Sequence, residues 1–120
     1  MKQKKAIRVK NSPLFEQQIN KLTDSVKENE IKFDRQLLKA IEREKEILLV
    51  NPHRGFQIQK DKIPNVYLLN YGVTNLWKID LPDFWRLIYT IVGNQGEIFV
   101  ILLEFMNHKD YDKIFGYRKL

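Results

Sequence analysis

Lys78, Arg86, His108 and Tyr111 are side chains of the kinds that hold phosphate and move protons, and all four lie in the second half of the chain. Lys78 and Arg86 alternate away from Trp77 and Trp85. If the two tryptophans face a helical layer, both cations emerge from the opposite face of the sheet. RNA cleavage without a metal needs such a set: a base for the attacking 2′-hydroxyl, cations for the charge on the pentavalent phosphate, and an acid for the leaving 5′-oxygen. A guanidinium suits the second task through its forked hydrogen bonds. His108 titrates near neutrality and suits either proton role, whereas a lysine serves as base only where neighbouring cations depress its pKa. Tyrosines stack on bases or donate a proton. Each residue also has an ordinary reading. Arg86 and Lys78 fit as surface cations on a half-exposed sheet, His108 as a cap on a helical turn, and Tyr111 with Phe115 at i, i+4 as an apolar anchor.

Other chemistries lack their residues. The five glycines form neither G-x-x-x-x-G-K nor G-x-G-x-x-G, so phosphate-cradling nucleotide sites have no support and no cofactor is expected. Ser12 and Ser25 have no nucleophile-elbow context. Two histidines far apart in sequence and no cysteine make no metal centre. Asp80 and Asp83 flank a turn, where carboxylates ordinarily satisfy backbone.

The elements that must position these residues follow from periodicity. Ala6, Ile7 and Val9 among lysines read as a first strand. Ser12-Pro13 is a helix start, with Ser12 as cap and Pro13 lacking an N–H to satisfy. Phe15, Ile19, Leu22 and Val26 then recur on one helical face. A second helix runs from about Glu30 to Val50, with Leu37, Leu38, Ile41 and Leu48 buried and Glu42, Arg43, Glu44, Lys45 and Glu46 solvated. Asn51-Pro52 stops it, and the two helices pack as a hairpin. Residues 53–75 are irregular, with a turn or two of helix from Pro64 to Asn70 ending at Gly72. The period then changes to two: Trp77, Ile79 and Leu81 form one strand, Trp85, Leu87, Tyr89 and Ile91 the next, and Ile98 to Leu103 a strand apolar on both faces. The reading is one α+β domain: an N-terminal strand, a two-helix hairpin, a three-strand antiparallel meander and a short C-terminal helical segment. The last strand lies centrally, so that the first can pair on its free side.

The 120 residues carry a net charge of +6. Five cations and no acid fall in residues 1–10, the second helix is balanced, and further excess lies in the 53–62 loop and the C-terminal tail. Lys60, Lys62, Lys109, Tyr117 and Arg118 are therefore candidate RNA contacts, on a surface suited to a polyanion or simply to solubility. No apolar run exceeds six residues and no h-region follows the basic N-terminus, so no membrane span or secretory leader is expected. The absence of cysteine fits a reducing, cytoplasmic setting.

The stretch Asn75-Leu76-Trp77-Lys78-Ile79-Asp80-Leu81, then Trp85-Arg86-Leu87-Ile88-Tyr89-Thr90-Ile91, then His108-Lys109-Asp110-Tyr111-Asp112-Lys113, resembles the RelE/ParE superfamily of type II toxin–antitoxin toxins. The order of elements resembles it too. The resemblance implies an mRNA endoribonuclease, free or on the ribosome, neutralised by a small antitoxin. Arg86 then corresponds to the strand arginine that acts on the scissile phosphate. Lys60, Lys62 and Lys78 correspond loosely to the preceding lysines, His108 or Lys109 to the basic residue after the last strand, and Tyr111 or Tyr117 to the C-terminal tyrosine. Two features depart from that pattern: extra length in the second helix and in residues 51–75, and Asp110 and Asp112 beside His108, placed either to orient it or to repel RNA. ParE-like members act on DNA gyrase and cut no RNA, which gives the alternative function, a non-nuclease toxin that inhibits DNA gyrase or another protein target. A degenerate toxin that only binds RNA or antitoxin is a third reading.

Overall fold

A mixed sheet forms the middle layer, and its strand order places the most apolar strand inside. The computed structural model describes residues 5–29 and 31–116. In chain order the elements are β1 (Ala6–Asn11), α1 (Pro13–Asn29), α2 (Lys32–Val50), β2 (Phe56–Gln57), α3 (Asn65–Tyr71), β3 (Trp77–Asp80), β4 (Arg86–Asn94), β5 (Glu97–Met106) and α4 (His108–Phe115). The sheet order is β1-β5-β4-β3-β2. As expected, β1 lies on the free side of β5, in parallel, with Ile7 opposite Ile98 and Asn11 opposite Leu102. The sequence reading missed β2, which widens the meander by pairing Phe56 with Lys78 and Gln57 with Trp77. Its backbone comes close because Gly55 has no side chain. A Cβ there would stand 2.4 Å from the Lys78 carbonyl.

Both faces of the sheet are covered. On one, α1 and α2 pack Phe15, Leu22, Leu37, Ile41 and Leu48 against Trp77, Ile79, Leu87, Tyr89, Val100 and Leu102. On the other, α3, α4 and the loop at Ile58–Ile63 pack Tyr67 and Tyr111 against Leu76, Ile88, Leu103 and Met106. Each large apolar side chain buried this way contributes about 1.5–3 kcal/mol, which explains why β5 is apolar on both sides. No helix of the described residues is long and apolar enough to cross a membrane.

Ser12 does more than cap α1. Its Oγ accepts from the Phe15 N–H at 3.1 Å and donates to the Leu103 carbonyl at 2.8 Å. Where β1 leaves the sheet, Gln18 takes its place: its amide donates to the Phe105 carbonyl and its oxygen accepts from the Phe105 N–H, at 2.8 and 2.9 Å. Side chains of α1 thus finish the ladder that β1 begins.

One solvated assignment is overturned. Glu44 is buried, in line with Leu37, Ile41 and Leu48 at helical spacing. Arg54, just beyond the helix, folds back to 3.1 Å from its Oε1, so the charge on the buried stripe is compensated. Nearby, the Tyr89 hydroxyl donates to the Pro52 carbonyl at 2.8 Å and accepts from the Gly55 N–H at 3.0 Å. Those bonds hold residues 52–55 against the sheet. Gly55→Ala drives its methyl into the Lys78 carbonyl, and rigid backbone has little room to yield. A loss of about 1–3 kcal/mol is expected in urea denaturation, with the 52–57 segment losing amide-exchange protection first.

Candidate functional site

The β3–β4 hairpin assembles the site by register. Asp80 lies opposite Arg86, and Lys78 opposite Ile88 on one side and Phe56 on the other. Alternation puts Lys78, Asp80 and Arg86 on one face, away from Trp77 and Trp85, as the sequence implies. The aromatic floor is Tyr111 of α4, with the Arg86 Cζ 5.1 Å and the Lys78 Nζ 5.8 Å from its ring centroid. Lys78 also stands 5.3 Å from the centroid of the exposed Phe56 ring. The structure therefore brings together three of the four residues proposed for proton and phosphate chemistry.

It also adds Asp80 between the two cations. Its Oδ1 lies 3.1 Å from the Lys78 Nζ and 3.1 Å from the Arg86 Nε. The Arg86 Nη1 donates to the Phe84 carbonyl at 2.7 Å and more weakly to that of Trp85 at 3.3 Å. Only 13% of the Arg86 side chain is exposed. Its Nη1 is thus spent on carbonyls inside the hairpin, and its Nε faces Asp80. Lys78 shares its space with the Asp80 carboxylate and, over the Tyr111 ring, with Arg86. Asp80 does not simply satisfy turn backbone. Its partners were readable in the sequence, because Asp80 and Arg86 are equidistant from Asp83 and so face each other across the hairpin, and Lys78 is two residues away on the same face.

The turn itself is unusual. Asp83 and Phe84 both have positive φ, 58° and 64°, in a tight reversal closed by the Trp85 N–H on the Pro82 carbonyl. Glycine or asparagine normally occupies such places, and a phenylalanine there costs on the order of 1 kcal/mol. The Phe84 ring is largely exposed and meets the His108 ring at 5.8 Å.

His108 pairs with an acid of its own helix. It occupies the first turn of α4, exposed, with its Nε2 3.0 Å from the Asp112 Oδ2. Of the two acids near it, Asp112 is the one that holds it. The cap of α4 is Asn107, whose side chain accepts from the Asp110 N–H at 2.8 Å, so His108 is not the cap. Tyr111 is buried and stacked on Phe115 at 4.3 Å, as its i, i+4 spacing suggests. Lys60, Lys62 and Lys109 are exposed, and none makes an ion pair among the described residues. Lys60 and Lys62 lie in a helical turn flanked by Ile58 and Ile63, which pack in the same cluster as Tyr111. Tyr117 and Arg118 lie outside the described residues.

Sequence reasoning overlooked Glu104, a partly buried carboxylate near the C-terminal end of β5. Burial pushes its carboxyl above the ordinary value, and the nearby Tyr67 hydroxyl acts against the shift. Burial also raises Tyr67 far above the usual phenol range, so that hydroxyl stays protonated.

With this geometry in place, comparison with known proteins supplies the identity. The family model described as ParE toxin of type II toxin-antitoxin system, parDE, matches residues 9–116. The chain belongs to the ParE toxin family. No curated protein matches it. Membership in a ParE family implies a cognate antitoxin, and the observed order of strand, helical hairpin, sheet and C-terminal helix is that of the RelE/ParE fold. In this ParE-family toxin Arg86 braces the hairpin from within. Arg86→Ala removes its contact with the Tyr111 ring and its hydrogen bonds to two carbonyls. A loss of about 1–2 kcal/mol is expected in urea denaturation, and Arg86→Lys is expected to recover only part of it, since lysine lacks the fork.

Proposed function

We propose that this toxin acts by binding and blocking a protein target, a type II topoisomerase such as DNA gyrase, and not by cutting RNA. The observation that carries this reading is the engagement of Arg86. One carboxylate and two backbone carbonyls hold the guanidinium that would have to stabilise a pentavalent phosphate. The rest of the nuclease set is engaged as well. The His108 imidazole is tied to Asp112, and the Tyr111 ring is buried as a floor. Blocking a protein asks for surface shape and anchors. The exposed Phe56 and Phe84 supply such anchors at either end of the hairpin.

A second reading, endoribonuclease action on mRNA, free or on the ribosome, draws support from a different observation. Lys78 and Arg86 together outnumber Asp80 by one charge, and exposed Lys60 and Lys62 lie on the same side of the fold. That residual positive charge suits a phosphate, and RNA displacing Asp80 would free the Arg86 fork.

The two readings separate in one pair of assays on the wild-type toxin. Purified toxin is expected to stop gyrase from supercoiling relaxed plasmid, while primer extension on transcripts from cells expressing it shows no new ends. Defined transcript cuts that disappear in Arg86→Ala, with gyrase unaffected, would replace the first reading with the second.

A further inference from the structure

Along β5 the register with β4 slips: Ile88 pairs with Glu104, but Tyr89 pairs with Leu102, leaving Leu103 as an extra residue. A bulge of this kind re-aims the side chains beyond it. Without it, Glu104 would share the face of Val100 and Leu102 and enter the α1–α2 core. With it, Leu103 and Glu104 both turn to the side of α3 and α4. There Glu104 lies beside Tyr67, with no ion pair among the described residues.

Two surface depressions meet at Glu104 and Ile114. The larger, about 650 Å³, runs from Leu22 and Leu37 past Trp85 to α4. The smaller, about 450 Å³, lies between α3 and the start of α1. Leu14 and Val66 on the smaller are substantially exposed. Together they make a groove, largely apolar, with Glu104 as the one carboxylate that lines both depressions. Lys21 and Lys113 line the larger depression but neither pairs with Glu104, and Asp34 and Asp110 line it as well. A partly buried carboxylate without a cation is costly, so the groove is complementary to a segment that brings one.

We propose that this groove receives a segment of the cognate antitoxin, whose apolar side chains fill the two depressions and whose single Lys or Arg pairs with Glu104. The antitoxin is the partner that family membership supplies, and the proposal holds whichever target the toxin has. Most of the toxin's excess charge is positive and favours an acidic partner. The groove demands the opposite sign at one position, which fixes the register of the bound segment.

Glu104→Gln keeps the shape of the side chain and removes its charge. Calorimetric titration of the folded toxin with purified cognate antitoxin is expected to show affinity reduced at least about tenfold by Glu104→Gln. The free variant should melt no lower than wild type, because a buried charge has been removed. On the antitoxin side, each Lys and Arg is replaced in turn by Gln. One replacement is expected to weaken binding to wild-type toxin and to have no further effect on Glu104→Gln, the signature of a direct pair. Unchanged affinity of Glu104→Gln for the antitoxin would overturn the proposal, as would the absence of any antitoxin residue coupled to Glu104.

Discussion

The fold depends on covering a strand that is apolar on both faces. From Ile98 to Leu103, β5 has no solvent side, so it must lie inside a sheet with helices above and below. β1 joins it on one edge and β4 on the other, α1 and α2 close one face, and α3 and α4 close the second. The parallel pairing with β1 ends at Asn11, yet the edge of β5 continues. Ser12 and Gln18 therefore carry hydrogen-bonding groups to Leu103 and Phe105, because a bare edge beside a helix would leave backbone groups unpaired. One small polar side chain thus starts a helix and seals the centre of the sheet.

The same constraint shapes the chemistry of the surface. The outer part of the sheet, where β2, β3 and β4 meet, presents charged groups, whereas the Ile98–Leu103 stretch of β5 carries none. Lys78, Asp80 and Arg86 fall there together. Two cations packed close on one aromatic ring repel each other, and Asp80 offsets that repulsion at the expense of a free guanidinium. A nuclease needs the reverse arrangement, with donors preorganised and unoccupied at the place where charge develops. The geometry favours a role for Arg86 in holding the Asp83–Phe84 turn, whose two positive-φ residues need support from outside the turn.

Much of this was legible in the residues. The Ser12-Pro13 helix start, the period-two stretches from Trp77 onward and the doubly apolar last strand led to the observed order of elements and to the neighbour of β1. The faces of Lys78 and Arg86 followed from alternation alone. What escaped were features set by tertiary contact. Glu44 looks solvated until Arg54 returns to meet it, and β2 is two residues long, beneath any periodic signal. The bulge at Leu103 has no local signature, since a run of apolar residues reads the same in either register. Glu104, just past the Ile98 to Leu103 run, was therefore not singled out.

That last miss has a physical lesson for how the family's functions can diverge. The elements of this fold are held by apolar periodicity, which tolerates changes at the hairpin tip and along the groove. Placing Asp80 opposite Arg86 leaves every core contact in place while altering what the guanidinium can do. A one-residue slip in β5 likewise moves a carboxylate from a core position, where it would be excluded, to a groove where it can select a partner. The first acts on charge at a fixed backbone position, the second on the face to which a charge turns. In a sheet built this way, the register of two strands decides which charges face outward together.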